Sequence, residues 1–306
     1  MDKLLKLDYF ERLISDNHSE SYFIEQFLEG SGNELKEKFW SPRSSSRLCF
    51  DLYSWLCNEP KVDNFQFEKQ LPGVKTGKNR VSGVPNMDVY FEYDESDIIF
   101  IESKYTEKDD WKYKKDKNNK GKGYHLSEAY WTSGGYKSCD WNIGQRFYDN
   151  PKIAEKFSEF CEEIQGLIDN KKQNQEEYSK YRWFDPKQET CHLFGIIFYV
   201  IQKRLENKRI HLCNNVWRCE DSKDSFTMDD SIVGCFKNKA EKMLNDIFEG
   251  QNCTFTFEVN TIQDILSKGF KGFKDFNFSE AKLFAKEDIV LKDYIEFHYT
   301  ERKRGN

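Results

Sequence analysis

No stretch of this 306-residue chain approaches the roughly 18 consecutive apolar residues that a membrane-spanning helix needs. The start, Met1-Asp2-Lys3-Leu4-Leu5-Lys6-Leu7, lacks the apolar segment of about 7–15 residues that marks a secretory signal. Both absences make a cytoplasmic location, away from any membrane, the expectation. Nine cysteines is an odd count, and no two form a Cys-x-x-Cys pair, so reduced, mostly buried thiols fit better than a disulfide framework. His211-Leu212-Cys213 with Cys219 and Cys235 offers soft ligands, but at no zinc-finger spacing. A P-loop is missing as well. Gly73 and Gly77-Lys78-Asn79 lack its first-glycine spacing and its Ser or Thr, which argues against nucleotide-driven translocation. There is no excess of positive charge either. The net charge is -6, so any affinity for a phosphate backbone must come from where the lysines lie.

What is present is a hairpin with three chemically pointed residues. Val84 to Tyr93 alternates apolar and polar residues with aromatics, which predicts a half-buried strand. Asp94-Glu95-Ser96-Asp97 has the composition of a turn. Ile98 to Tyr105 then reads as a more buried strand. Residues two apart on a strand share a face, so Glu102 and Lys104 project the same way. A hairpin centred on Glu95 sets Asp88 directly opposite Glu102, close enough to share a cation; a slip of one residue would turn Asp88 away.

Two carboxylates in an apolar sheet repel one another and are costly to bury unless a cation compensates. Mg²⁺ takes one or two carboxylates, several waters and substrate phosphate oxygens. It lowers the pKa of a coordinated water and offsets charge building on the phosphate. A lysine two residues beyond the Glu can orient that water and contact the phosphate. The alternative is a surface hairpin with solvated charges, but Glu102 and Lys104 interrupt an otherwise apolar strand.

Pro85-x-x-Asp88, thirteen residues, then Glu102-Ser103-Lys104 resembles the signature of the PD-(D/E)xK nucleases, the restriction-endonuclease-like superfamily, except that Pro and Asp are not adjacent. Glu102-Ser103-Lys104-Tyr105-Thr106-Glu107 is similar to a run in a bacterial family of type II-like restriction endonucleases. Ser44-Ser45-Ser46-Arg47-Leu48-Cys49-Phe50-Asp51-Leu52 resembles the helix opening before their nuclease core. The resemblance spans about residues 40 to 205. It implies an α/β core with a central mixed β-sheet flanked by helices, hydrolysis of DNA phosphodiesters with Mg²⁺ (Mn²⁺ able to substitute), and double-stranded DNA as substrate. A homodimer would suit cutting both strands of a symmetric site, and a separately encoded DNA methyltransferase would be the cognate partner. On this reading Asp88 and Glu102 hold metal and Lys104 orients the attacking water. Repair or recombination nucleases, and a non-catalytic DNA-binding module, are the competing readings on the same fold.

The superfamily often adds one acid from the preceding helix or first strand. Glu68, in the alternating stretch Asn64 to Leu71, is the candidate third metal ligand; an exposed edge-strand charge is the alternative. Glu34 and Asp51 compete less well, and Gln70 would share the face of Glu68. Lys112, Lys114, Lys115 and Lys117 open a stretch of six lysines and one acid between Trp111 and Tyr124, suited either to following a phosphate backbone or to solvation alone. Gln145 and Arg146 open a predicted helix from Trp141 to Ile168, where such residues commonly contact phosphate in these folds. Pro151 within it fits a helix N1 position.

The rest of the chain sets the expected organisation: 1–40 as N-terminal helices, 41–205 as the nuclease core, and 206–306 as an α+β C-terminal extension for target recognition or dimerisation. Ser44 or Ser45 is expected to cap a helix reaching Leu56. Cys191 to Gln202, the most apolar run, reads as a central strand buried on both faces, with His192 as a satisfied core histidine. Residues 205–230 read as polar and irregular. Phe236 to Phe248 is an amphipathic helix, Thr254 to Val259 a strand, and Asn260 or Thr261 the cap of a helix from Ile262. Gly269 to Phe276 mixes lysines with aromatics, either as a stacking platform for bases or as phenylalanines closing the core.

Overall fold

Asp94 and Glu95 both adopt left-handed backbone, with φ of 49° and 55°, in a turn closed by the Ser96 N–H on the Tyr93 carbonyl. That geometry matches the twist of the strands it joins, and the hairpin it starts is the middle of the molecule. The computed structural model describes residues 23, 25–27, 39, 44–72, 75–76, 80–81, 85–105, 150–170, 183–218, 232–270, 276–283 and 286–300.

Five strands form the central sheet: β1 (Val62–Gln70), β2 (Asn86–Tyr93), β3 (Asp97–Lys104), β4 (Arg209–Val216) and β5 (Thr254–Thr261), side by side in that order. β1, β2 and β3 pair antiparallel, whereas β3, β4 and β5 run parallel, so the sheet is mixed. Short antiparallel pairs join Lys75–Thr76 to Arg80–Val81 and Lys282–Leu283 to Lys286–Val290. Helices flank the sheet, among the described residues α1 (Ser45–Tyr53), α2 (Pro151–Asn170), α3 (Pro186–Lys203), α4 (Ile232–Phe248), α5 (Ile262–Lys268) and α6 (Leu291–Thr300). Phe157, Phe194, Ile197, Phe236 and Leu244 of α2–α4 pack on Phe100, Leu212 and Phe257. On the other face Phe50, Tyr53, Ile265 and Ile295 of α1, α5 and α6 pack on Phe67, Phe91 and Ile101. The helices between the parallel strands, α2 and α3 before β4 and α4 before β5, all lie on one face, and α1, α5 and α6 cover the other. This is an α/β fold consistent with a restriction-endonuclease-like core. No described helix is long and apolar enough to cross a membrane.

Several local expectations hold. Ser44 caps α1 by accepting from the Arg47 N–H at 3.1 Å, Pro151 opens α2, and the Thr261 hydroxyl accepts from the Asp264 N–H at the start of α5. Two expectations are corrected. Cys191–Gln202 is not a strand but the body of α3. A run buried on all sides has no readable period; the deciding signal is Asp185-Pro186-Lys187-Gln188. There the Asp185 carboxylate accepts from the Gln188 N–H at 3.2 Å and Pro186 takes N1, a combined cap and helix start. The strand beside β3 is instead β4, within the stretch read as irregular. Several of its residues are buried and polar, and Asn215 among them donates to the Tyr53 hydroxyl at 2.6 Å and accepts from Asn260 at 3.2 Å. β4 and β5 therefore bring residues of the 206–306 segment into the central sheet.

Both outer strands have their edges partly capped by side chains. Along β5, Asn245 bonds both N–H and C=O of Phe255, Glu241 accepts from the Phe257 N–H, and Lys237 donates to the Phe257 carbonyl. These three residues lie four apart on one face of α4. On β1 the Phe67 N–H donates to Gln26 at 2.8 Å. Such capping removes the template for edge-to-edge pairing.

α3 lies close on the sheet because Gly195 has no side chain: a Cβ there would meet Leu71 Cβ at 2.7 Å and Pro85 Cγ at 3.1 Å. We expect Gly195→Ala to destabilise the protein by about 1–3 kcal/mol through overpacking. Gly166→Ala on α2, with nothing within 4 Å of the added methyl, should instead stabilise by about 0.5–1 kcal/mol. Thermal denaturation of the two variants checks the contrast.

Candidate active site

The strand register assembles the site. Between β1 and β2, Phe67 opposes Val89 and Lys69 opposes Met87, which sets Glu68 opposite Asp88. Between β2 and β3, Val89 opposes Ile101, and one step further along that register Asp88 comes level with Glu102. Three acidic residues thus occupy one level on three adjacent strands, at the carboxyl end of β3.

Local irregularity marks this row. Glu68 holds φ at 50°, unusual for any residue with a Cβ. It reverses the alternation of β1: Phe65 and Phe67 face α1, whereas Leu71 packs beneath α3 and the Lys69 ammonium lies 4.8 Å over the Tyr90 ring, close to α3. Gln70 therefore cannot be assigned to the Glu68 face by counting. In β2 the alternation also breaks at Asp88, since Met87 belongs to the α3 side and Val89 to the α1 side. The Asp88 carboxylate accepts the Ser103 N–H at 2.6 Å, so a main-chain donor of β3 fixes it beside Glu102.

Glu102, 3% exposed, projects with Lys104 toward α3. Lys104 Nζ donates to Glu102 Oε1 at 2.5 Å and to Gln188 Oε1 at 2.9 Å, and Gln188 Nε2 donates to Glu102 Oε1 at 2.7 Å. This closed triangle of strand and helix side chains locks the Glu and Lys relative to one another. His192, one helical turn beyond Gln188, brings Nε2 to 3.8 Å from Glu102 Oε2 and Nδ1 to 3.4 Å from Glu189 Oε2. His192 is buried, as read from the sequence, but it backs Glu102 and sits on a helix. Neither Gln188 nor Glu189 was a candidate, because the helix that spaces Gln188 and His192 four apart was read as a strand.

The electrostatics of the row are those of crowded, buried carboxylates. Burial, then the charges of Glu102 and Glu68, push the Asp88 carboxyl well above the usual carboxylate range, against the opposing effects of Lys104 and the Ser103 N–H. Burial alone would lower the His192 imidazole, but its hydrogen bond to Glu189 and the charges of Glu189 and Glu102 carry it above its usual value. Among the described residues no group of three or more His, Cys, Asp or Glu is arranged to hold a metal ion by itself.

Other candidates fall elsewhere. The Asp51 carboxylate is engaged by the Tyr299 hydroxyl at 2.6 Å and by Arg47 on the α1–α6 side. Both His211 nitrogens are engaged, by Asp97 at 2.9 Å and Thr256 at 2.7 Å, and Cys213 is a buried free thiol, which argues against the zinc alternative; its Cys219 lies outside the described residues. Phe270, stacked on Tyr53, and Phe276, tilted against Tyr93, are buried core residues; residues 271–275 of that run lie outside the described residues. Lys112, Lys114, Lys115, Lys117, Gln145, Arg146 and Glu34 lie outside the described residues.

Residues 33–183 match the profile of a protein family described as Restriction Endonuclease associating with ARP. No curated protein and no solved structure matches the chain. The matched segment carries Glu68, Asp88, Glu102 and Lys104 and stops short of Gln188 and His192. It supports a restriction-endonuclease-like relationship and a nuclease role, for which DNA is the implied substrate.

A pH dependence follows from Asp88. Its folded pKa lies above the unfolded one, so its contribution to stability is complete below the unfolded value and is lost as the pH rises through the folded value. Asp88→Asn should therefore stabilise the metal-free protein at neutral pH, by about 1.4 kcal/mol per unit of separation, with the gain vanishing below about pH 4. Denaturant titrations at several pH values, in chelator, measure the difference.

Proposed function

We propose that this protein is a Mg²⁺-dependent endonuclease that hydrolyses DNA phosphodiesters in a restriction or other defence role. The observation that carries the reading is the Glu102–Lys104–Gln188 triangle standing level with Asp88 and Glu68. The family match supports the nuclease chemistry and DNA as substrate. From the family's description we also carry over an association with ARP.

In this reading Asp88 and Glu102 hold the cation, and Glu68 adds charge from the neighbouring strand. When bound, Mg²⁺ lowers the pKa of a ligated water and offsets negative charge building on the phosphate. The remaining work belongs to the chain. Ser103 N–H keeps one Asp88 oxygen turned into the sheet. Gln188 holds Glu102 and Lys104 together, so their rotamers are set before substrate arrives. Lys104, partly exposed, presents its ammonium to orient the attacking water and to meet charge on the phosphate. His192 and Glu189 back Glu102 from within α3. Lys112, Lys114, Lys115, Lys117, Gln145 and Arg146 are the proposed contacts to the DNA backbone. A homodimer cutting both strands of a symmetric site would associate through surfaces other than the capped sheet edges, and a methyltransferase encoded separately would protect the host site.

Purified protein incubated with unmodified plasmid should cut it with Mg²⁺ or Mn²⁺ and not in EDTA. Lys104→Ala and Asp88→Ala should each lower the rate by about 10²–10³-fold or more while melting as folded proteins. Cutting in EDTA, or cutting by Lys104→Ala at the wild-type rate, would overturn the proposal. Glu68→Gln should raise the Mg²⁺ concentration needed for half-maximal rate if Glu68 completes the site, and leave it unchanged if it does not.

A further inference from the structure

We propose that Asn214 is a further substrate-contacting residue of this site, its side-chain amide donating to a nonbridging oxygen of the phosphate being cleaved. The inference rests on the nuclease reading above but on a separate observation. Asn214 is the register partner of Glu102 on the adjacent parallel strand. Ile98 and Phe100 of β3, and Ile210, Leu212 and Val216 of β4, face the α2–α4 layer, so Glu102 and Asn214 lie on that same face. Register partners on neighbouring strands are about 4.8 Å apart. Asn214 is 2% exposed, and its amide nitrogen is buried with no hydrogen-bond partner among the described residues.

The neighbouring residue shows what a purely structural asparagine looks like here. Asn215, on the opposite face, both donates and accepts within the fold. Asn214 does not, although a buried amide without a partner weakens a protein and a leucine of similar size would serve packing better. Of the carboxylate oxygens nearest in register, Glu102 Oε1 takes Lys104 and Gln188, and Oε2 lies 3.8 Å from His192 Nε2. An amide nitrogen donates and cannot ligate a cation, and a nonbridging phosphate oxygen of the substrate is an acceptor that suits it. Glu102 is as deeply buried as Asn214, so whatever route admits the reacting groups to one admits them to the other. Ligands of open α/β sheets collect beyond the carboxyl ends of the parallel strands, which is where Glu102, Lys104 and Asn214 stand together.

The test compares wild type, Asn214→Leu and Lys104→Ala in thermal melts, in Mg²⁺-dependent cleavage of supercoiled plasmid over a range of DNA concentrations, and in Mg²⁺ binding by calorimetry. The expected result for Asn214→Leu is a melting temperature at or above wild type, unchanged Mg²⁺ affinity, and a saturating cleavage rate lowered about ten-fold to a thousand-fold. Asn214→Ala, which cannot clash, gives the same rate loss if leucine does not fit. Wild-type rates in both Asn214 variants would overturn the proposal while leaving the nuclease reading intact. A rate loss that only follows a lowered melting temperature would also overturn it, as the mark of a structural residue. Wild-type protein that cuts no DNA, beside an equally silent Lys104→Ala, would overturn both.

Discussion

Like charges placed level on adjacent strands are the constraint around which this molecule is arranged. Glu68, Asp88 and Glu102 cannot sit in one row of a sheet, one on each side of Asp88, without either losing charge or gaining a counter-ion. The protein answers in part with what it has: the Ser103 N–H on Asp88, and the Lys104 ammonium on Glu102. Both of those groups come from β3, the strand that carries Glu102 itself. The compensation is incomplete, because burial and the neighbouring carboxylates still raise Asp88 well above the usual carboxylate range. A divalent cation is the species that would reverse this balance.

The rest of the fold serves to hold that row in place. The antiparallel half of the sheet supplies the carboxylates, and the parallel half supplies the crossover helix α3 that closes over them. Gly195 lets α3 settle against Leu71 and Pro85, so the helix turns Gln188 and His192 onto Glu102. Pro85, the proline of the Pro-x-x-Asp motif, is therefore a packing partner of the helix rather than a participant in chemistry. The far ends of β3 and β4 are tied by Asp97, which pairs with Arg209 and His211, and His211 in turn bonds Thr256 of β5, which fixes the register that brings Asn214 beside Glu102.

Legibility in the sequence followed the physics of each segment. The hairpin is readable because an alternating strand, four turn residues and an apolar strand leave few registers, and centring it on Glu95 sets Asp88 against Glu102, as the strand register does. Caps at Ser44 and Thr261 were legible because hydroxyls have few other uses at those positions. Glu68 was legible as a candidate but not its backbone, since nothing in Phe67-Glu68-Lys69 announces a left-handed residue. α3 was hidden by its own burial, and with it Gln188; only the Asp185-Pro186 start distinguished helix from strand. β4 was hidden for the opposite reason, because His211, Asn214 and Asn215 make a central strand look like a loop.

The most direct test of the central claim is calorimetric titration of Mg²⁺ into the protein in two buffers of different ionisation enthalpy. If the row is a cation site held partly protonated in the ion's absence, binding will release protons, more of them as the pH is lowered, and Asp88→Asn will abolish the release. Binding with no proton release at any pH, or binding unchanged in Asp88→Asn, would contradict the account.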